Sequence, residues 1–175
     1  MQSHLVVSVV GDAGAALAEA LTRAVQEAGC QVAESRMVVL GSEFSALLLV
    51  TGHWNAIAKL ETALARLQQS QDLTVQTRRT KPRGGVDNLV PYAIEVIAPQ
   101  SPGMLHDITE FFARRGISIE DVHSSCYPAP HTGAPMSSLH MTVAIPASTA
   151  IAAVRGDFMD FCDDLNLDAV MAPVK

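Results

Sequence analysis

Residues 104–121 read MLHDITEFFARRGISIED, and residues 17–34 read LAEALTRAVQEAGCQVAE. Laid on each other at an offset of 87, Leu17, Leu21, Thr22, Val25, Gly29 and Glu34 fall on Met104, Ile108, Thr109, Phe112, Gly116 and Asp121. Each stretch carries one apolar stripe at helical spacing, a glycine that stops the helix, and then a short strand-like segment. The correspondence continues on either side of the loop Pro128–Pro135, where the offset grows. Phe44, Leu48 and Val50 meet Leu139, Val143 and Ile145, and Ile57, Leu60, Leu64 and Leu67 meet Ile151, Val154, Phe158 and Phe161. Solenoid units repeat every 20–50 residues or so, and this repeat is longer, so a whole domain is duplicated.

The order of elements within each copy follows from the pattern. In the first copy Leu5–Val10 reads as a strand, Gly11–Gly14 as a turn and Leu17–Ala28 as an amphipathic helix. Val32–Leu40 and Phe44–Thr51 form a hairpin about Gly41-Ser42, Asn55–Leu67 is a second helix, and Leu73–Thr77 a last strand. Asn55 is expected to cap that second helix, with Trp54 packed beside it. Arg78–Asp87 carries four basic residues, one proline and two glycines and reads as a connection. The second copy repeats the order: strand Leu89–Ile97, turn Ala98–Pro102, helix Gly103–Arg115, strand Ile119–Tyr127, strand Ser137–Ile145, helix Ser148–Asp164, strand Leu167–Ala172. The expected domains are 1–80 and 89–175, with residues 81–88 between them.

The order βαββαβ has one economical solution. Each helix must bury its stripe, and right-handed crossovers put both helices on the same face of a four-stranded antiparallel sheet. The fold class is therefore α+β, two ferredoxin-like sandwiches in tandem. The other face of each sheet is left for water, a second domain or a second chain, so a homo-oligomer is expected.

Composition bounds the function. Of 175 residues 49% are hydrophobic and 17% charged, which supplies two cores and argues against disorder. A net charge of −6 disfavours direct binding to a nucleic-acid backbone. Three separated cysteines, Cys30, Cys126 and Cys162, form no CxxC and read as reduced thiols of a cytoplasmic protein. Neither a signal peptide nor an apolar run long enough to span a bilayer is visible, so no membrane partner is expected.

Sandwiches of this shape host many functions, so the site must decide. An RNA-binding version would place aromatics on its central strands, whereas Leu5–Val10 has none and Phe44 stands alone on the third strand. A metal carrier would show CxxC after the first strand, and an anion-handling phosphatase an arginine in the first βα loop; neither occurs. His123, Cys126 and His131, with His140 as a possible neighbour, match no settled metal spacing and show no oriented catalytic acid, so no metal, cofactor or catalytic residue is assigned. The most suggestive element is Gln100-Ser101-Pro102-Gly103-Met104. Proline fixes the entry to the helix, glycine lets a ligand approach the backbone, and the free N–H groups of a helix start suit a carboxylate.

Two βαββαβ copies, Ser101-Pro102-Gly103 opening a helix, and Gly116-Ile117-Ser118-Ile119-Glu120-Asp121 leading into the next strand together resemble the ACT domain over essentially residues 4–173. Within that family Gly29–Arg36, Leu40–Phe44 and Gly52-His53-Trp54-Asn55 are similar to the glycine-cleavage-system transcriptional repressors. The resemblance implies a non-enzymatic regulator that binds a small amino acid, glycine or serine foremost, and controls transcription through a DNA-binding regulator protein. A ligand-free docking or dimerisation module is the alternative. By analogy with such domains, Gln100, Ser101, Pro102, Gly103 and Met104 would hold the ligand, and Ile119, Glu120, Asp121 and Val122 would form part of its wall. The first copy departs from the pattern. Ala15-Ala16 stand opposite Pro102-Gly103, and the preceding residues read Gly11-Asp12-Ala13-Gly14. That first-copy loop is expected to be degenerate and the second copy to carry the site.

Overall fold

In a computed structural model, which describes residues 2–12, 15–84 and 88–174, the chain forms two compact units, Met1–Gly84 and Gly85–Lys175. Unit 1 runs β1 (Gln2–Asp12), α1 (Ala15–Glu27), β2 (Gln31–Leu40), β3 (Glu43–His53), α2 (Trp54–Ser70) and β4 (Leu73–Thr80). Unit 2 runs β5 (Leu89–Pro99), α3 (Met104–Arg114), β6 (Ser118–Pro128), β7 (Pro135–Pro146), α4 (Ile151–Asp164) and β8 (Asp168–Pro173). The sheets are ordered β2-β3-β1-β4 and β6-β7-β5-β8, and every pairing is antiparallel. Both units are therefore α+β ferredoxin-like sandwiches.

Alternation along the central strands divides each sheet into two faces. Leu5, Val7 and Val9 of β1 and Ala46, Leu48 and Val50 of β3 are buried with Leu17, Leu21, Val25, Ile57, Leu60 and Leu64 of the helices. In unit 2 Ile94 and Val96 of β5 and Leu139, Met141 and Val143 of β7 meet Ile108, Phe112, Val154 and Phe158. The stripes that matched in the sequence are thus the two cores. Gly29 and Gly116, equivalent in the repeat, close their helices with φ of +78° and +65°, a conformation that only glycine adopts without strain.

Four local expectations are corrected. Gly11 and Asp12 continue β1 rather than beginning a turn, since they pair with Phe44 and Glu43. Gly11 is enclosed there: a Cβ would lie 2.2 Å from Leu73 Cδ2. Ala98 and Pro99 likewise extend β5, paired with Ser137 and Met136. Asn55 does not cap α2. His53 occupies that position without a side-chain bond, Trp54 is already helical, and the Asn55 carboxamide accepts only from the next amide, Ala56 N–H, at 3.0 Å. Arg78 and Arg79 belong to β4, and Arg79 forks onto Glu61 of α2 with bonds of 3.1 and 2.7 Å.

Candidate functional site

The β5–α3 loop of unit 2 borders a small cavity of about 200 Å³. Gln100 and Ser101 of the loop line it together with Met104 and Asp107 of α3. Leu165, Asn166 and Leu167, the turn between α4 and β8, close it from the other side. Gln100 N–H donates to the Pro135 carbonyl at 3.0 Å, which ties the loop to the start of β7. Met104 is buried and anchors the first turn of α3 in the core, while Gln100, Ser101 and Pro102 stay exposed.

Gly103 is the N-cap of α3, with φ −95° and ψ −17°, and no side chain caps the helix there. The first turn of α3 therefore carries amide donors beside the loop that no capping side chain satisfies. Asp107, the acidic residue of that first turn, lies close by: a Cβ on Gly103 would come within 3.2 Å of its Oδ2. A helix start without a capping side chain and one half-buried carboxylate thus stand at the same loop, an arrangement that can address both ends of a zwitterion.

Asp107 and the Leu165–Leu167 turn were not singled out from the sequence. Asn166 offered one signal. It follows a helix and adopts φ +54°, a left-handed position that asparagine tolerates better than most residues. Asp107 offered none, because an acidic residue in a first helical turn is commonplace.

Ile119, Glu120, Asp121 and Val122 lie on the edge strand β6, where the pairing with β7 shifts between Ile119 and Asp121. Through β7 they stand level with Tyr92–Ile94 at the start of β5, whereas the loop follows its end. At the rise of an antiparallel strand the separation is roughly 20 Å. A single unit therefore does not bring the loop and this stretch together. Ile119 and Val122 pack on their own core, and Glu120 and Asp121 are exposed with polar interactions of their own.

The first-copy loop differs throughout. Gly11 and Asp12 end β1, Ala15 and Ala16 open α1 as exposed residues, and Ala13 and Gly14 lie outside the described residues. The repeat offset places Ala20 opposite Asp107, so unit 1 has neither the glycine nor the carboxylate.

The histidines divide. His123 and His140 are cross-strand partners with rings stacked at 4.7 Å, and His140 Nδ1 lies 3.9 Å from Glu95 Oε1. Cys126 alternates to the other face, its Sγ 3.5 Å from Ser137 Oγ, and His131 sits in the hairpin loop. Among the described residues no three such groups converge as metal ligands, and no helix is long and apolar enough to cross a membrane.

Two family models, both for the ACT domain, match residues 3–78 and 92–155. The chain is a tandem ACT-domain protein. It is 28% identical over 165 residues to the glycine cleavage system transcriptional repressor of Escherichia coli K12, covering 94% of this chain and 87% of the relative. The repressor of Shigella flexneri gives the same figures. Among solved structures, an unknown protein from Galdieria sulphuraria superposes over 100% of both chains with a TM-score of 0.80 at 23% identity. A chain provisionally described as a glycine cleavage system transcriptional repressor gives a TM-score of 0.75 at 24% identity, over 100% of this tandem ACT chain and 99% of its own. At these identities the structural matches speak to the fold, two ACT sandwiches in succession.

Proposed function

We propose that this tandem ACT protein is a non-enzymatic regulator that binds a small amino acid at the β5–α3 loop and controls transcription through a DNA-binding partner. The observation that carries the reading is the Asp107 carboxylate lining a cavity beside the start of α3, where no side chain caps the helix. The α-carboxylate of the ligand takes the amides and its ammonium takes Asp107. A cavity of about 200 Å³ favours a small side chain, in keeping with glycine or serine. Similarity to repressors over 94% of the chain supports the link to transcription. The −6 charge supports a protein partner as the contact to DNA.

If Ile119–Val122 contribute a wall to this loop, they must come from another copy of the chain, given their distance from the loop within unit 2. Ligand binding then favours one packing of ACT domains, and that shift of population is the signal. The Ala15, Ala16 and Ala20 positions of unit 1 favour a second reading, in which effector binding has been lost and the chain only docks.

Thermal unfolding with each common amino acid at millimolar concentration separates the two. A true ligand stabilises by about 2.7 kcal/mol at a hundredfold excess over Kd. Gly103→Ala should abolish the shift while keeping stability within about 1 kcal/mol, because the φ is compatible with alanine and the atoms nearest the new methyl are the end of the Asp107 side chain. No shift with any amino acid, or full affinity in Gly103→Ala, would remove the loop from the mechanism.

A further inference from the structure

We propose that the groove between α1 and α2 of unit 1 docks an amphipathic helix of a partner protein, one with large apolar anchors and acidic flanks. The groove has a volume of about 1000 Å³ and follows α2 from Trp54 to Gln71. A 17-residue helix is about 25 Å long. A trough of that length suits four or five turns of a partner helix rather than a small molecule.

The two copies of the fold give an internal comparison. In unit 2 the same trough is filled. Phe111 sits there with ring centroids 5.1 Å from Phe112, 5.3 Å from Phe158 and 5.0 Å from Phe161. Arg115 lies 3.7 Å over the Phe111 ring and reaches Asp157 of α4 at 3.4 Å, bridging the two helices. At the repeat offsets, unit 1 has Ala24 for Phe111, Leu67 for Phe161, Ala28 for Arg115 and Ala63 for Asp157. All four line the open groove. Unit 1 has the helices of the sandwich without the side chains that close the space between them.

What remains at its rim selects an occupant. Trp54, 64% exposed, stands at one end where unit 2 has Ser148. Tryptophan is among the residue types enriched as interface anchors, and here it stands beside the alanines of the trough. Lys59 and Arg66 line the groove and form no ion pair among the described residues, and their counterparts are Ala153 and Asp160. Arg23 is already engaged by Glu19. Glu27 lines the groove as well, so with Arg23 engaged the rim carries two cations against one carboxylate, a net positive charge on a chain of net charge −6 and complementary to acidic flanks. A second copy has no matching helix to offer, since α1, α2, α3 and α4 all bury their apolar stripes in their own cores. The proposal goes beyond the effector reading and does not rest on it.

Trp54 is the only tryptophan, so its emission reports the groove directly. The full chain is titrated with a synthetic 18-residue helical peptide, about the length of the groove, bearing leucines at i, i+3, i+4 and i+7 and glutamates on the flanks. A saturable blue shift is expected, at least tenfold weaker for the same peptide with lysine flanks. Ala24→Phe, which copies the filled trough of unit 2, should weaken binding at least tenfold with the thermal midpoint retained. Lys59→Glu/Arg66→Glu alters only the surface and should reverse the preference between the two peptides, so the proposal stays testable if Ala24→Phe misfolds. Three outcomes would overturn it: no binding of the acidic peptide at millimolar concentration, no charge reversal in the double variant, or a blue shift with protein concentration alone that makes a second copy the occupant.

Discussion

Leu64 and Phe158 are equivalent in the repeat, and both are buried, at 1% and 0% exposure. Each belongs to a core drawn wholly from its own unit. Truncating each to alanine therefore asks whether the two cores are energetically separate. Leu64→Ala removes a buried leucine and should cost about 2–5 kcal/mol. Phe158→Ala should cost about 3–5 kcal/mol, toward the upper end, because its ring also meets Phe111 at 5.3 Å and Phe112 at 5.1 Å. Amide hydrogen exchange resolves the outcome by strand. At about 1.4 kcal/mol per factor of ten, Leu64→Ala should speed exchange in β1 and β3 by roughly 30- to 3,000-fold and leave β5 and β7 unchanged. Phe158→Ala should do the reverse, by roughly 100- to 3,000-fold. Equal acceleration of all four central strands by either variant would show that the whole chain is one cooperative unit, and the assignment of two independent cores would be wrong.

Two further predictions concern titratable groups. The Arg79 guanidinium, by hydrogen bond first and charge second, holds the Glu61 carboxyl below the usual carboxylate range. Its folded pKa lies below the unfolded one, so the pair stabilises above about pH 4.3 and its contribution is lost as pH falls through the folded value. Midpoints of the wild type and Glu61→Gln should differ at neutral pH and converge toward acid; a gap that widens in acid would refute the pairing. Burial, and secondarily the charge of Asp163, pushes the Cys162 thiol up to about 11. A thiol-specific disulfide reagent at neutral pH should label exposed Cys126 and leave Cys162 unmodified until the chain unfolds. Labelling of Cys162 in native protein, read by peptide mass, would contradict its place in the core.

The fold was legible because the sequence states it twice. Leu17 and Met104, Leu21 and Ile108, and Val25 and Phe112 carry the same stripe, and a coincidence of that length is hard to produce without a common fold. Element ends were less legible. Glycine and aspartate form turns by local preference, yet Gly11 and Asp12 are held in β1 by pairing with β3 and by Leu73 lying over Gly11, contacts made from far along the chain. Asn55 was a reasonable cap by type, but the helix begins one residue earlier and leaves its carboxamide on the wrong turn. The loop of the candidate site was visible in Pro102-Gly103. Its chemical complement was not, since Asp107 and Asn166 are brought to one cavity only by the packing of α3 against the α4–β8 turn. The groove was invisible for a different reason: it is opened by alanines, and an alanine in a helix carries no signal until its counterpart proves to be a phenylalanine.

That last contrast bears on what duplication has allowed. The inward stripes of the two units are interchangeable in kind, and they suffice for the sandwich. The outward positions are then free to diverge, and they have diverged in opposite directions. Unit 2 keeps proline, glycine and aspartate at its first loop and fills the space between its helices with aromatic rings and an Arg115–Asp157 bridge. Unit 1 has alanine opposite Pro102, Gly103 and Asp107, alanine again opposite Phe111, Arg115 and Asp157, and leucine opposite Phe161, with Trp54, Lys59 and Arg66 at the rim of the space so opened. A random loss of function in one copy would remove the loop without opening the groove or placing a tryptophan and two cations beside it. The joint pattern fits the two proposals together, one copy for a small ligand and the other for a protein. It makes the two sites separable by mutation, since Gly103→Ala should silence the first without touching peptide binding and Ala24→Phe the second without touching the ligand-induced rise in melting temperature.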